Sequence, residues 1–122
     1  MKNILTLLTV LLLSQSLISQ MSLDLEKSKI KWTGKKITNA SHWGSLSFSE
    51  ANLDFDGDDL VGGKFIVDMN SISVDDIQGR GKQRLEGHLR NKDFFDVENH
   101  KEAILMFNER VPLNNGVYEV TG

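Results

Sequence analysis

The sequence predicts an all-β, antiparallel fold with one short helix. Three observations lead to this prediction. From Ser28 onward, apolar and polar residues alternate in short segments, a pattern typical of half-buried strands. Gly, Asn and Asp separate these segments, as expected for turns between antiparallel strands. Only residues 75–89 change to the spacing of a helix, so we expect helix to be the minor element.

Residues 1–19 predict a signal peptide. Lys2 precedes an apolar run at residues 4–13, and small polar residues follow it. A charged start, an apolar stretch and a small-residue cleavage region are the parts that the export machinery recognises. The run is too short to span a membrane, which takes roughly 20 apolar residues. We therefore expect a periplasmic or secreted protein that starts between residues 17 and 21 and has no stable membrane span.

Residues 20–122 are enough for one domain only. The chain has no Cys, so we expect its stability to come from an apolar core rather than from disulfides. Its formal net charge of −3 argues against a nucleic-acid partner, because binding to phosphates requires a positive surface. Removal of the signal peptide deletes only one charged residue, Lys2, and leaves the negative balance in place.

Four segments before the helix alternate as strands: residues 30–33, 46–48, 53–55 and 61–69. The pair Asp56-Gly57 predicts a tight hairpin turn before the last of them, because Gly accepts a positive φ angle. The pair Gly62-Gly63 predicts a β-bulge or a sharp coil, which is how a sheet curves far enough to close.

The predicted helix has an apolar stripe. Four apolar or small residues recur every four positions and share one helical face: Ile77, Gly81, Leu85 and Leu89. We expect Asp75 or Asp76 to cap the start of this helix, since a carboxylate accepts hydrogen bonds from the free N–H groups of the first turn.

Three further strands are predicted after the helix, at residues 103–107, 111–113 and 117–120, with Asn115-Gly116 as a turn. This brings the total to about seven strands. The last one runs directly into Gly122, which would leave an open sheet edge of the kind that natural proteins usually cover. We therefore expect either that the chain is a fragment of a longer domain or that a partner strand completes it, as in a homodimer.

Several blocks of the sequence resemble, in order, the YceI-like family. They are IKWTGKKI at residues 30–37, LDFDG at 53–57, LVGGKFIVDM at 60–69, LEGHL at 85–89 and DFFDV at 93–97. The resemblance implies a lipocalin-like, eight-stranded antiparallel β-barrel with a helix across it, exported to the periplasm. It also implies binding of polyisoprenoids or related long-chain lipids such as isoprenoid quinones, without catalysis. The last strands of such a barrel are absent from this chain.

The predicted ligand-binding residues are the apolar side chains on the inward faces of the strands: Trp32, Leu46, Phe48, Phe55, Phe65, Val67, Met69, Ile104 and Met106. Four more are predicted to form a lid: Leu85, Leu89, Phe94 and Phe95. An eight-stranded barrel has room inside for side chains or for one slender ligand. The same residues therefore also fit a structural or interaction protein with a filled core and no ligand.

Arg84 and His88 are candidates for binding a charged lipid head group, although the alternative is that they belong to the solvated face of the helix. The three His residues lack the spacing of a zinc site, so we expect no metal and no cofactor. A hydrolase using His42 or His88 would lack a nucleophile. We therefore expect a binding protein with no catalytic residue.

Overall fold

The structure, a computed structural model, describes residues 17–122. Residues 1–16 of the predicted signal peptide lie outside the described residues. The described part contains seven strands and one helix: β1 (Ile18–Ser22), β2 (Lys29–Lys35), β3 (Ser41–Asp56), β4 (Asp59–Val74), α1 (Gly79–Arg90), β5 (Glu102–Phe107), β6 (Glu109–Pro112) and β7 (Tyr118–Thr121). The prediction of an all-β fold with one short helix is confirmed.

Strands β1 to β5 form one antiparallel sheet with β3 and β4 at its centre. On the side of β3 away from β4, β2 pairs with its N-terminal half and β1 with its C-terminal half. Strands β6 and β7 form a separate two-stranded ribbon, and Arg110 of this ribbon donates a hydrogen bond to Asp59 at the start of β4. Within residues 17–122 the sheet is open, and the arrangement is consistent with part of a lipocalin-like fold.

Strands β1, β3 and β4 differ most from the sequence prediction. Strand β4 runs from Asp59 to Val74, whereas the predicted strand covered residues 61–69. Strand β1 lies in the region assigned to signal-peptide cleavage, and it pairs with the end of β3. Strand β3 is one continuous strand where two were predicted. The alternation of apolar and polar residues in the sequence stops after Phe48, because a bulge between Phe48 and Glu50 inserts one extra residue. The bulge brings Ala51 back to the face that Phe48 occupies, so the strand continues.

The predicted hairpin turn is present, and a bulge lies next to the predicted pair Gly62-Gly63 rather than at it. Asp56 pairs with Asp59 across a two-residue turn, in which Gly57 has a φ angle of 60°. Between this turn and Gly62, the register shifts so that Val61 is the extra residue. A bulge increases the local twist of the strand, which helps a long hairpin to curl.

The helix packs against one end of the sheet and forms a small closed core there. Ile72, Val74 and Leu89 are its buried members. The indole N–H of Trp32 donates a hydrogen bond of 3.0 Å to the carbonyl oxygen of Ser73, which fixes the ring at the edge of this core. We call this region the closed end.

The predicted helix cap is wrong. The helix begins at Gly79, and Gln78 at the cap position makes no side-chain hydrogen bond to the first turn. Asp75 and Asp76 belong to the connection that follows β4, where they accept hydrogen bonds from groups near the sheet instead. The physical reason is that β4 extends as far as Val74, so the two carboxylates come too early to reach the helix. Within residues 17–122, no helix is long and apolar enough to cross a membrane.

Candidate functional site

The strand register defines the two faces of the sheet, because directly paired residues point to the same side. Trp32 pairs with Gly44, and Gly44 pairs with Val74. Since α1 packs against Trp32 and Val74, this side is the one that faces the helix. We call it the inner face.

A row of aromatic rings crosses the inner face beyond the closed end. The ring centroids of Phe48 and Phe65 lie 5.5 Å apart, and those of Phe65 and Phe107 lie 6.0 Å apart. These are ordinary distances for interacting aromatic rings. Leu105 pairs with Phe65 in the neighbouring strand and is 42% exposed. Phe107 is buried, whereas Phe48 and Phe65 are half-buried. This region, which we call the aromatic half, is therefore apolar and partly accessible at Phe48, Phe65 and Leu105.

Most of the predicted ligand-binding residues lie together on the inner face. These are Trp32, Leu46, Phe48, Phe55, Phe65 and Val67, placed there by the pairing of β2, β3 and β4. Of them, Trp32 and Leu46 pack around the closed end. The other four are half-buried and belong to the aromatic half.

The predicted placement of Ile104 and Met106 on the inner face is wrong. They pair with Ile66 and Lys64, whose side chains point to the opposite face of the sheet. There they are 57% and 64% exposed. The inner-face residues of β5 are the alternate ones, including Leu105. The apolar run of β5 has no alternation that would have distinguished the two faces, and only the pairing with β4 does so.

The predicted lid is divided between two locations. Leu89 is buried against Ile72 and Val74, and Leu85 packs beside it, so both belong to the closed core rather than to an accessible lid. Met69, predicted to line the ligand site, is likewise buried.

Phe94 and Phe95 lie in the loop after the helix and remain exposed. Their rings meet edge to face with centroids 4.9 Å apart. The Phe94 ring also lies 6.1 Å from the ring of His88.

A groove of about 330 Å³ lies between α1 and the β2–β3 turn. This groove contains both predicted head-group residues, Arg84 and His88. It also contains two basic side chains that the sequence did not predict for this site, Lys36 and His42. Its lining consists of Lys36, His42, Ile77, Gly81, Arg84, Leu85 and His88. The groove thus has an apolar floor and a rim of cationic or titratable groups, which suits an anionic head group at the end of an apolar chain.

One side of this groove is held by a hydrogen bond between His42 and Asp76. The Nδ1 atom of His42 lies 2.9 Å from Oδ2 of Asp76. Burial opposes ionisation of Asp76, but hydrogen bonds from His42 and from the Trp43 backbone outweigh it, so the pKa of this carboxyl lies below its usual value. An ionised carboxylate can only accept, so Nδ1 carries the hydrogen and Nε2 is left for another partner. The second oxygen, Oδ1 of Asp76, is buried and has no hydrogen-bond partner within residues 17–122.

Comparison with known proteins then identifies the family. A profile of the YceI-like domain matches residues 21–122, which is most of the chain. The chain belongs to the YceI-like family. A search of curated proteins finds no match.

A second groove of this YceI-like chain, of about 460 Å³, lies between the end of α1 and the loop that follows it. Two of its charged groups already have partners: Arg90 donates to the carbonyl oxygen of Ile72, and the Asp96 carboxylate accepts from the Asn99 amide. Neither groove is lined by the aromatic row. In the described part of the chain, no group of three or more His, Asp or Glu is arranged to hold a metal ion.

Sequence reasoning missed four residues of the candidate site. Leu105 and Phe107 were missed because the face of β5 depends on its register with β4. Lys36 and His42 lie more than 30 residues before α1, and nothing in their local sequence links them to the helix. The only available signal was the Lys35-Lys36 pair at a turn, which places a charge at one end of the sheet.

Proposed function

We propose that this YceI-like chain is a non-enzymatic carrier of a long-chain apolar lipid. The proposed ligand is a polyisoprenoid or an isoprenoid quinone, and the proposed location is the periplasm or the exterior of the cell. Membership of the YceI-like family supports lipid binding in general. The aromatic half is the observation that carries the proposal, because it offers adjoining rings and accessible apolar side chains on one face.

The energetics of the aromatic half suit a hydrocarbon tail. Burial of a methylene group contributes about 0.8 kcal/mol, so about ten buried methylenes would contribute roughly 8 kcal/mol before the cost of ordering the chain. Aromatic rings offer flat apolar surfaces against which a branched, unsaturated chain can lie. Leu105 and Met21, both on the inner face and both exposed, extend this surface toward the strands at either side.

The groove beside α1 is the proposed location of the head group. Arg84 and His88 stand on the helix side, and Lys36 stands on the turn side. A phosphate or diphosphate would accept charge-assisted hydrogen bonds from these groups. A quinone would use the same donors more weakly, since its carbonyl oxygens carry no net charge.

The direct test is to purify the protein from its native host, extract it with organic solvent and analyse the extract by mass spectrometry. We expect about one long-chain isoprenoid per chain. A blank extract, together with no binding of added polyprenyl phosphate or ubiquinone, would instead favour a structural or interaction protein without a ligand.

A further inference from the structure

The β2–β3 hairpin has a different charge from the rest of the chain. Residues 28–49 contain four Lys and no Asp or Glu, whereas the whole chain has a formal net charge of −3. Asp75 and Asp76 lie against the part of this hairpin that contains Lys29 and His42, and the other three Lys form no salt bridge within residues 17–122, so the excess of positive charge is concentrated on them. Such a hairpin is suited to a negatively charged surface.

The register places most of these charges in one row. Lys31 and Lys35 pair with Ser45 and Ser41, so their side chains point to the outer face of the sheet. Within residues 17–122, neither they nor Lys36 take part in a salt bridge. Lys29 is different, since it lies near Asp75, whose pKa is lowered mainly by hydrogen bonds from Ser73 and Ser45 and to a smaller extent by the positive charge of Lys29. Three cations therefore remain available at this end of the hairpin.

Two large apolar side chains accompany these cations. Ile37 lies in the turn between β2 and β3, and its side chain is fully exposed. The turn is ordered by a bond of 2.7 Å from the Lys36 N–H to the Ala40 carbonyl oxygen. Trp43 is 41% exposed on the same outer face as Lys31, whose Nζ atom lies 4.5 Å from the centre of its ring.

We propose that this hairpin docks the protein on the surface of a bilayer that contains anionic phospholipid. Proteins that bind at membrane interfaces commonly combine three kinds of side chain. Trp lies at the level of the head groups, Lys lies beside anionic lipid, and an apolar side chain inserts among the lipids. Lys36 also lines the groove next to α1, so docking would bring that groove to the lipid surface. The inference goes beyond the proposed carrier function, because docking is measurable whether or not the inner face holds a ligand.

The experiment is co-sedimentation of the full mature protein with vesicles of phosphatidylcholine, with or without about one third phosphatidylglycerol. We expect binding only to the anionic vesicles, with loss of binding at high salt. The emission of Trp43 should shift to the blue on binding, whereas Trp32 is already held in the fold by Ser73.

Two variants and two matched controls test the surface. The double variant Lys35→Gln/Lys36→Gln should weaken vesicle binding about 25-fold, at about fivefold for each cation near an anionic surface. Ile37→Ser should weaken it about tenfold without affecting folding, since the side chain makes no buried contact. Lys92→Gln/Lys101→Gln and Val117→Ser make the same chemical changes at other exposed positions and should leave binding unchanged.

Three outcomes would overturn the proposal. Equal binding to both kinds of vesicle would show that the cations are not used. Equal losses in the control variants would indicate non-specific attraction. Self-association of the wild-type protein without vesicles, abolished by Ile37→Ser, would assign the hairpin to a second copy of the chain. A blank organic extract with intact vesicle binding would refute the carrier function and leave the docking surface in place.

Discussion

The two ends of the inner face differ in how their apolar side chains are used. At the closed end, α1 covers the sheet, and Ile72 and Val74 are almost completely buried. In the aromatic half, Phe48 and Phe65 interact with each other but remain half-buried, and Leu105 beside them is exposed. An apolar side chain that is completely buried contributes to the stability of the fold. An apolar side chain that stays accessible can instead contact a ligand or partner. The comparison therefore separates the fold-stabilising residues from the proposed ligand-binding ones.

The largest effect should come from Gly44 at the closed end. A Cβ atom at this position would lie 1.7 Å from the carbonyl oxygen of Ser73 and 2.8 Å from the indole nitrogen of Trp32. Because the first neighbour is backbone, the strands themselves would have to separate. We expect Gly44→Ala to lose at least about 3 kcal/mol of unfolding free energy, measured by urea denaturation.

A second glycine provides the control. Gly87 lies in α1, and a Cβ atom there would meet nothing within 4 Å. Gly87→Ala should stabilise the protein by about 0.5–1 kcal/mol, because Ala has the higher helix propensity. Equal effects of the two substitutions would contradict the close packing at the closed end.

Truncation of a buried side chain should separate the two regions further. Ile72→Ala should lower the free energy of unfolding by about 2–5 kcal/mol, because it removes transfer energy and leaves a cavity. Leu105→Ala in the aromatic half should cost less, about 1 kcal/mol, since 42% of that residue's surface is already exposed to solvent. If both cost the same, the aromatic half is part of a core and not a ligand surface.

Adjacent residues of β5 test ligand binding with a matched pair. Leu105 lies on the inner face and Met106 on the outer face. Leu105→Ser should weaken the binding of a fluorescent polyprenyl analogue about fivefold, the equivalent of about 1 kcal/mol of lost apolar contact. Met106→Ser should leave the affinity unchanged. A greater loss with Met106→Ser would place the ligand on the opposite face.

The sequence was sufficient for the elements that depend on local pattern. Alternation predicted the strands, and the pairs Asp56-Gly57 and Asn115-Gly116 predicted turns, whose residues Gly57, Asn115 and Gly116 have the required positive φ angles. It was not sufficient where a long-range contact decides. The face of Ile104 depends on its pairing with Ile66, and the role of Asp76 depends on His42, 34 residues earlier.

The smallest effect concerns the groove at the closed end and depends on pH. The pKa of Asp76 is below its usual value of 3.8 in the folded protein, so the ionised carboxylate stabilises the fold. This contribution is fully present above the unfolded pKa and is lost as the pH falls through the lower, folded value. Asp76→Asn should therefore be less stable than the wild type at pH 7, and the difference should shrink below about pH 4.

Urea denaturation of both proteins between pH 7 and pH 3 measures this difference, with Asp58→Asn at the exposed hairpin turn as the control for loss of one charge. A difference that stayed constant down to pH 3 would show that Asp76 acts through its shape rather than its charge. Binding of a diphosphate-headed lipid adds a second measurement. If the hydrogen bond to Asp76 positions His42 in the groove, the Asp76→Asn variant should lose more affinity for a lipid diphosphate than for an uncharged polyprenol. The reason is that only the diphosphate needs a donor at that rim.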